Sequence, residues 1–324
     1  MRRAMQQKLT LCMAVLLLSA CSSGDPGRPA NQKVVLGLSQ VVTAANWNAA
    51  NTESIRQAAQ GAGIEIRLED ANRSQEKQVA ALRSFVRQHV DVIAFSPVVE
   101  SGWETVLREI RAAGIPVILI DRAIEVSDDS LYASLIGSDF VEEGRRAARW
   151  LLEHTRGMKE EVDIVEVQGT VGSAPANDRK QGFAEVIATD PRYRIIRSQS
   201  GDFSRDTARQ VMADFLQSEG RRIRVLFAHS DSMALGAIEA IEAAGFKPGA
   251  DILVISIEGS REGLKAIVAG KLNVSVECNP LFGPQLIQAV QDITAGKNVP
   301  RRIVTQETIF TAETAAKDLA RRAY

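Results

Sequence analysis

Two adjacent opposite charges, Asp121 and Arg122, close the stretch GIPVILIDRAI, where a run of aliphatic residues ends abruptly. A guanidinium offers five donors in a rigid planar fork and keeps its charge at any working pH, so it can hold two neighbouring hydroxyl oxygens at once. The carboxylate beside it accepts the hydroxyl protons. The alternative for such a pair is a surface ion pair, worth about 0–1 kcal/mol. Catalytic chemistry has less support. His89, His154 and His229 show no metal-ligand spacing, and there is no H-E-x-x-H and no paired C-x-x-C. Neither G-x-G-x-x-G after the first strand nor G-x-S-x-G occurs. The residues therefore point to a polar binding site with no metal and no cofactor, and not to an enzyme.

A binding site at a strand end needs a sheet to present it. A short aliphatic strand, a turn and an amphipathic segment recur along the chain. Strands are expected at 33–40, 65–71, 90–97, 115–122, 131–138, 162–168, 193–199, 223–228, 252–257 and 273–277. Between them lie segments with helical spacing, such as Ile55, Ala58, Ala59 and Ala62, or Val79, Leu82, Phe85 and Val86. Continuous apolar strands alternating with helices indicate parallel sheets covered on both faces. Ten such units exceed a barrel of eight, so the expected fold class is α/β with two doubly wound parallel-sheet domains. Ligands of open parallel sheets bind at the carboxyl ends of strands. Those ends read Ser39-Gln40, Ser96-Pro97, Asp121-Arg122, Gln168-Gly169, Ser230-Asp231, Glu258-Gly259 and Glu277, which together describe a polar cleft.

The first residues are a processing signal. Arg2, Arg3 and Lys8 precede an apolar run at 9–18 that is too short for the ~20 residues a bilayer span requires. Leu18-Ser19-Ala20-Cys21 resembles a bacterial lipobox, which implies cleavage after residue 20 and lipid on Cys21; a plain secretory peptide cut near Ala20 is the alternative. Residues 21–32, rich in Ser, Gly and Pro, read as a tether. Removing the signal, with three basic residues and no acidic ones, takes the formal charge from -1 to -4. That balance gives no basic face for nucleic acid. It also leaves Cys278 as a lone thiol, so no intramolecular disulfide is expected, and a small buried filler suits it better than a redox centre.

The stretches GLSQV, FSPVVESGWETVLREIRAAGIPVILIDRAI, LIGSDFVEEGRRAARWL, VEVQGTVGSAPANDRKQGFAEVI, RSQSGDFSRDTARQVM, FAHSDSMALGAIEAI and VECNPLFGP are spread over both halves. Together they resemble the periplasmic sugar-binding proteins of ABC importers, and most of all their galactofuranose-binding branch. The resemblance implies a type I periplasmic-binding fold, in which two similar domains joined by three crossings close on a sugar. Crossings are expected near 139–142, 277–280 and 302–305, with one domain formed by 33–140 plus 278–303 and the other by 141–277 plus 304–324. It further implies a monomer that hands a monosaccharide to a permease and its ATPase. A binding protein that presents sugar to a membrane receptor or histidine kinase is the alternative.

Carried over residue by residue, the resemblance puts Asp121 and Arg122 on the sugar from one domain and Arg179, Ser230 and Glu258 from the other. Trp47 would cover an apolar ring face, and Gln40 and the hinge residue Glu277 would add polar contacts. Four positions depart from the galactofuranose branch. Ala44 replaces an acid, Asn48 an arginine, Ser230 an asparagine and Glu258 an aspartate. Because a site built for particular hydroxyls rejects analogues that leave its polar groups unpaired, these four positions bear on which sugar is taken.

Overall fold

The structure, a computed structural model, describes residues 33–41 and 46–324. The expected signal segment, the tether with Cys21, and Ala44 lie outside the described residues. The chain first forms β1 (Val35–Gln40), α1 (Asn46–Ala62), β2 (Glu65–Asp70), α2 (Gln75–Arg87), β3 (Val92–Phe95), α3 (Glu104–Ala112), β4 (Val117–Ile120) and β5 (Ser134–Gly137). It continues through α4 (Phe140–His154), β6 (Val162–Gln168), α5 (Ala174–Ile187), β7 (Tyr193–Ser200), α6 (Arg205–Glu219) and β8 (Ile223–Ala228). Next come α7 (Asp231–Ala243), β9 (Leu253–Glu258), α8 (Arg261–Val268) and β10 (Val274–Glu277). The last elements are α9 (Gly283–Thr294), β11 (Arg302–Val304), β12 (Ile309–Thr311) and α10 (Ala315–Leu319). Among the described residues no helix is long and apolar enough to cross a membrane.

The strands make two sheets, ordered β11-β5-β4-β3-β1-β2 and β12-β10-β9-β8-β6-β7. Every pairing is parallel except that of β12 with β10. Apart from the short end strands, the second order repeats the first with every strand advanced by five. The lobes are thus built alike although no repeat is visible in the sequence. Burial explains the composition of the strands. VIAF in β3 and VILI in β4 are buried at every position, as a strand covered by helices on both faces requires, whereas the edge strand β2, EIRLED, is half open and carries charges. In each sheet the winding reverses beside the first strand of the lobe, between β1 and β3 and between β6 and β8. Outside the strand ends at such a switch point lies the crevice where doubly wound sheets take ligands.

All ten expected strands form, most of them shorter by one to three residues at an end. The two strands that the sequence pattern does not reveal, β11 and β12, are three residues each, too short to show a period. They bear on one expectation. Val304 still pairs with Gly137, and the Thr305 amide donates to the Gly137 carbonyl at 3.1 Å, so the chain leaves the first sheet after Thr305, at the far end of the expected 302–305. The other passages follow β5 and β10.

Helices α4 and α5 approach so closely that a Cβ on Gly144 would lie 2.2 Å from the Arg179 carbonyl oxygen, and one on Gly182 2.0 Å from that of Val141. This contact brings Glu143 of α4 against Arg179 of α5. Alanine is the better helix former by about 1 kcal/mol, yet Gly144→Ala must push two backbones apart. We expect it to destabilise the protein by about 1–3 kcal/mol in urea unfolding. A neutral or stabilising outcome would contradict the close approach.

Candidate functional site

One cavity at the strand ends is lined by Trp47, Asn48, Asp121 and Arg122 of the first lobe, by Pro175, Arg179, Phe203 and Glu258 of the second, and by Cys278 on the second passage. Beside it the lobes touch directly. The Glu100 amide donates to the Gly172 carbonyl at 2.9 Å, and the Asn177 amide group donates to the Glu100 carboxylate.

Asp121 follows β4 in a left-handed conformation, φ +62°, and Glu258 ends β9 at φ +119°. Aspartate is among the few residue types besides glycine that tolerate the left-handed region, whereas Glu258 lies outside the regions its type favours, and such strain persists where surrounding structure over-determines it, commonly at ligand sites. Arg122, 8% exposed, donates Nη1 to the Val98 carbonyl at 3.2 Å and to that of Pro97 at 3.4 Å. Its Nε lies 3.4 Å from Asp121 Oδ2 without forming a hydrogen bond, so a buried donor is left unpaired in the cavity wall. An orphan donor of this kind is costly unless a ligand meets it. Burial raises the Asp121 carboxyl against the pull of Arg122 and Arg179, and it lowers the Arg122 guanidinium.

Arg179 is buried, with Nε donating to Glu143 Oε2 at 2.7 Å, Nη1 donating to the His229 carbonyl at 2.8 Å, and its guanidinium 4.9 Å from the Phe140 ring centre. Burial pushes Glu143 up to about 8 despite this partner, and its Oε1 has none. Glu258 is likewise pushed up to about 8, by burial and by the Asp231 carboxylate. Near neutral pH it therefore offers the cavity a hydroxyl donor as well as an acceptor. Trp47 donates its indole N–H to the Cys278 carbonyl at 2.7 Å and packs tilted against Phe282, which anchors the ring to the second passage.

Three of the expected residues are not in the cavity wall. Gln40 ends β1, but its amide turns onto α1, donating to Asn51 Oδ1 at 2.7 Å and accepting from Thr52 Oγ1 at 2.7 Å. Ser230 spends its hydroxyl as the N-cap of α7, accepting from the Met233 amide at 3.2 Å. Glu277 is paired with Arg322 at 2.6 Å and accepts from the Thr308 amide at 3.0 Å, which ties the second passage to the third and to the C-terminal segment. Asp231, in the same motif as Ser230, is also structural. Buried, it accepts from Ser256, Ser275 and twice from Ser260 at 2.5–2.7 Å, gathering the loops after β8 and β9. Its strand-end position resembles that of Asp121, but Asp121 accepts from one serine, Ser96 at 3.3 Å, and lies beside Arg122, whereas Asp231 is enclosed by three serines.

Pro175, Phe203 and Cys278 line the cavity although the sequence reading did not place them there, and Phe203 is the largest of the three. It lies three residues past β7, and its ring centre is 5.7 Å from the Arg122 guanidinium. A Cβ on Gly169 would sit 2.0 Å from the ring, so a glycine there makes room for it. The signal was present, an aromatic just beyond a strand end in GDFSRD.

Beneath the cavity the three passages meet. Ser138 Oγ lies 3.3 Å from both Cys278 Sγ and Thr305 Oγ1 and donates to Glu307, which also accepts from Thr305 Oγ1 at 2.8 Å and the Asn279 amide at 3.1 Å. Glu143, Cys278 and Glu307 place ligand atoms within 4.8 Å of one another. Arg179 serves one oxygen of Glu143, hydroxyl and amide donors serve Glu307, and burial raises all three groups.

Comparison with known proteins agrees with this architecture. Residues 36–298 match the family described as periplasmic binding protein domain. The galactofuranose-binding protein YtfQ of Escherichia coli (strain K12) is 40% identical over 311 residues, which cover 95% of this chain and 97% of that one. A crystal structure from Mycobacterium smegmatis in complex with β-D-fucofuranose shares 49% identity, with a TM-score of 0.86 over 89% of this chain and 94% of that one. The periplasmic binding protein component of the arabinose ABC transporter from Shewanella sp. ANA-3, bound to α- and β-L-arabinofuranose, shares 42% identity with a TM-score of 0.86, covering 90% and 96%. Two like-built lobes, three passages and a polar cavity between the strand ends are what such a chain should fold into, and by sequence and structure alike this chain belongs to the periplasmic binding protein family.

Proposed function

We propose that the chain captures a monosaccharide between its lobes and delivers it to the permease of an ABC importer, which its ATPase drives. In this reading the protein is exported, held at the membrane by lipid on Cys21, monomeric, and a binder without catalytic activity. The lobes, divided at the three passages, move as rigid bodies about them. The observation that carries the reading is a cavity fed by both lobes, in which Arg122 keeps a buried donor unpaired. Arg122 and Asp121 grip adjacent hydroxyls, Arg179 and Glu258 meet others from the opposite lobe, and Asn48 lines the rim. Trp47 and Phe203 cover the apolar faces of the ring. A five-membered ring form is favoured, because the relatives above are named for, or bound to, galactofuranose, fucofuranose and arabinofuranose. Asn48 and Glu258 then decide among them, since each presents different donors to the hydroxyls it meets.

Thermal-shift measurements with arabinose, fucose, galactose, ribose and fructose test this. A sugar present at 1,000 times its Kd stabilises by about 4 kcal/mol, which for a chain of this size raises Tm on the order of 10 °C. Sugars that equilibrate to more furanose should give the larger shifts. No shift with any monosaccharide would overturn the reading.

A further inference from the structure

The two lobes carry matching turns after their edge strands. After β2, Asn72 and Arg73 take φ +46° and +58°, and after β7, Asp202 and Phe203 take +53° and +52°. Each turn hangs from the strand beside it, the Ala71 amide on the Gln40 carbonyl at 2.9 Å and the Gly201 amide on the Gln168 carbonyl at 2.8 Å. Each runs into a serine N-cap, Ser74 of α2 or Ser204 of α6. Left-handed pairs without glycine are uncommon, and here two of them face each other across the cleft. Arg73 Nη1 and Asp202 Oδ2 are 2.6 Å apart. Asp202 is held ready for this contact, because its Oδ1 accepts from Thr170 Oγ1 at 2.6 Å and its amide donates to Ser200 Oγ at 3.1 Å. The next residue is Phe203, whose ring faces Arg122 in the cavity wall. The charge of Arg73 also reaches Arg122, where it works against the guanidinium, and Asp202 offsets it.

We propose that Arg73 and Asp202 form a latch of the closed state, and that Arg73 is a positioning residue that acts through Asp202 to hold Phe203 over the ligand. The proposal rests on the reading that a sugar is enclosed between the lobes. Both side chains are about 40% exposed, so the pair adds little to the stability of either lobe alone. It joins different lobes, however, so it biases the closed form over the open one, and any such differential contact shifts that equilibrium. Breaking it should speed sugar release while leaving the encounter rate nearly unchanged, and added salt should weaken it because the pair is open to solvent.

The test is a double-mutant cycle on sugar dissociation, followed by stopped-flow tryptophan fluorescence, with Arg73→Met, Asp202→Asn and the double variant. Asparagine tolerates the left-handed backbone, so the turn is kept. Each single variant should raise koff about two- to fivefold. The double variant should be no faster than the singles, and 0.5 M salt should shrink the difference from wild type. Values of koff within experimental error of wild type, or single effects that multiply in the double variant, would overturn the latch. Small-angle scattering of the sugar-free proteins gives a reading independent of the ligand. A larger radius of gyration for Asp202→Asn than for wild type supports the latch, and identical profiles overturn it. Should wild type bind no sugar at all, the proposed function fails and the scattering comparison still decides the latch.

Discussion

Replacing Arg122 by alanine is expected to abolish monosaccharide capture while both lobes stay folded. The guanidinium supplies the cavity's unpaired donor, and hydrogen bonds to a charged group are worth about 1.5–3 kcal/mol each. Losing two of them weakens binding by roughly 10²- to 10⁴-fold. The fold tolerates the change because Asp121, already raised by burial, can take up a proton once its partner is gone. Arg122→Lys should fall between, since an ammonium keeps the charge and loses the fork. Titration calorimetry reads the affinity and circular dichroism the fold. Undiminished affinity in Arg122→Ala would show that the cavity is not where the sugar binds.

Arg179→Ala should instead strike stability. Above about pH 8, where Glu143 is ionised, it strands a buried charge. Breaking a buried ion pair from one side typically costs about 3–5 kcal/mol, a fall in Tm on the order of 10 °C. Below that pH the carboxyl is neutral and the loss is smaller. Part of this should return in the double variant with Glu143→Gln, which has no charge to strand. The pH dependence has a defined sign. Glu143 and Glu258 hold their protons up to about 8 in the folded protein, against an ordinary value of 4.5. Between those values the folded chain binds protons that the unfolded chain has released. The contribution of these groups to stability is therefore full below 4.5 and is lost as pH rises through 8. Arg179 favours the charged forms of both carboxyls, so its removal carries the decline to higher pH. Differential scanning calorimetry at pH 6 and pH 9 should show a larger penalty for Arg179→Ala at pH 9. An equal penalty at both would mean that the two carboxyls do not change ionisation between pH 6 and pH 9.

Both variants act through residues that the sequence singles out, yet the sequence is uneven in what it discloses. The interior strands are legible because full burial on both faces demands unbroken aliphatic runs, VIAF and VILI among them. Asp121-Arg122 stands out for the same reason, as charges directly after such a run. β11 and β12 leave no trace, since a three-residue strand is defined by the partner it pairs with and not by its own pattern.

At the site the division is sharper. A strand-end position guarantees that a backbone reaches the crevice, and Asp121, Arg122, Glu258 and, from helices, Trp47, Asn48 and Arg179 do line it. Position says nothing of where a side chain goes next. Gln40 folds onto Asn51 and Thr52, Ser230 caps a helix, and Glu277 takes Arg322. For Gln40 and Glu277 these partners lie on other elements, up to 45 residues away in the chain for Glu277, whereas the cap of Ser230 is local. Local composition therefore determined the two-sheet α/β class and the polar character of the strand ends, because burial and periodicity act over a few residues. Tertiary structure alone decided which of those polar groups face the ligand, brought Phe203 over Arg122, and set Arg73 against Asp202. These are choices among competing hydrogen-bond and packing partners, some within one lobe, as for Gln40, and some that meet only when the chain has passed between its lobes, as for Phe203 and Arg122.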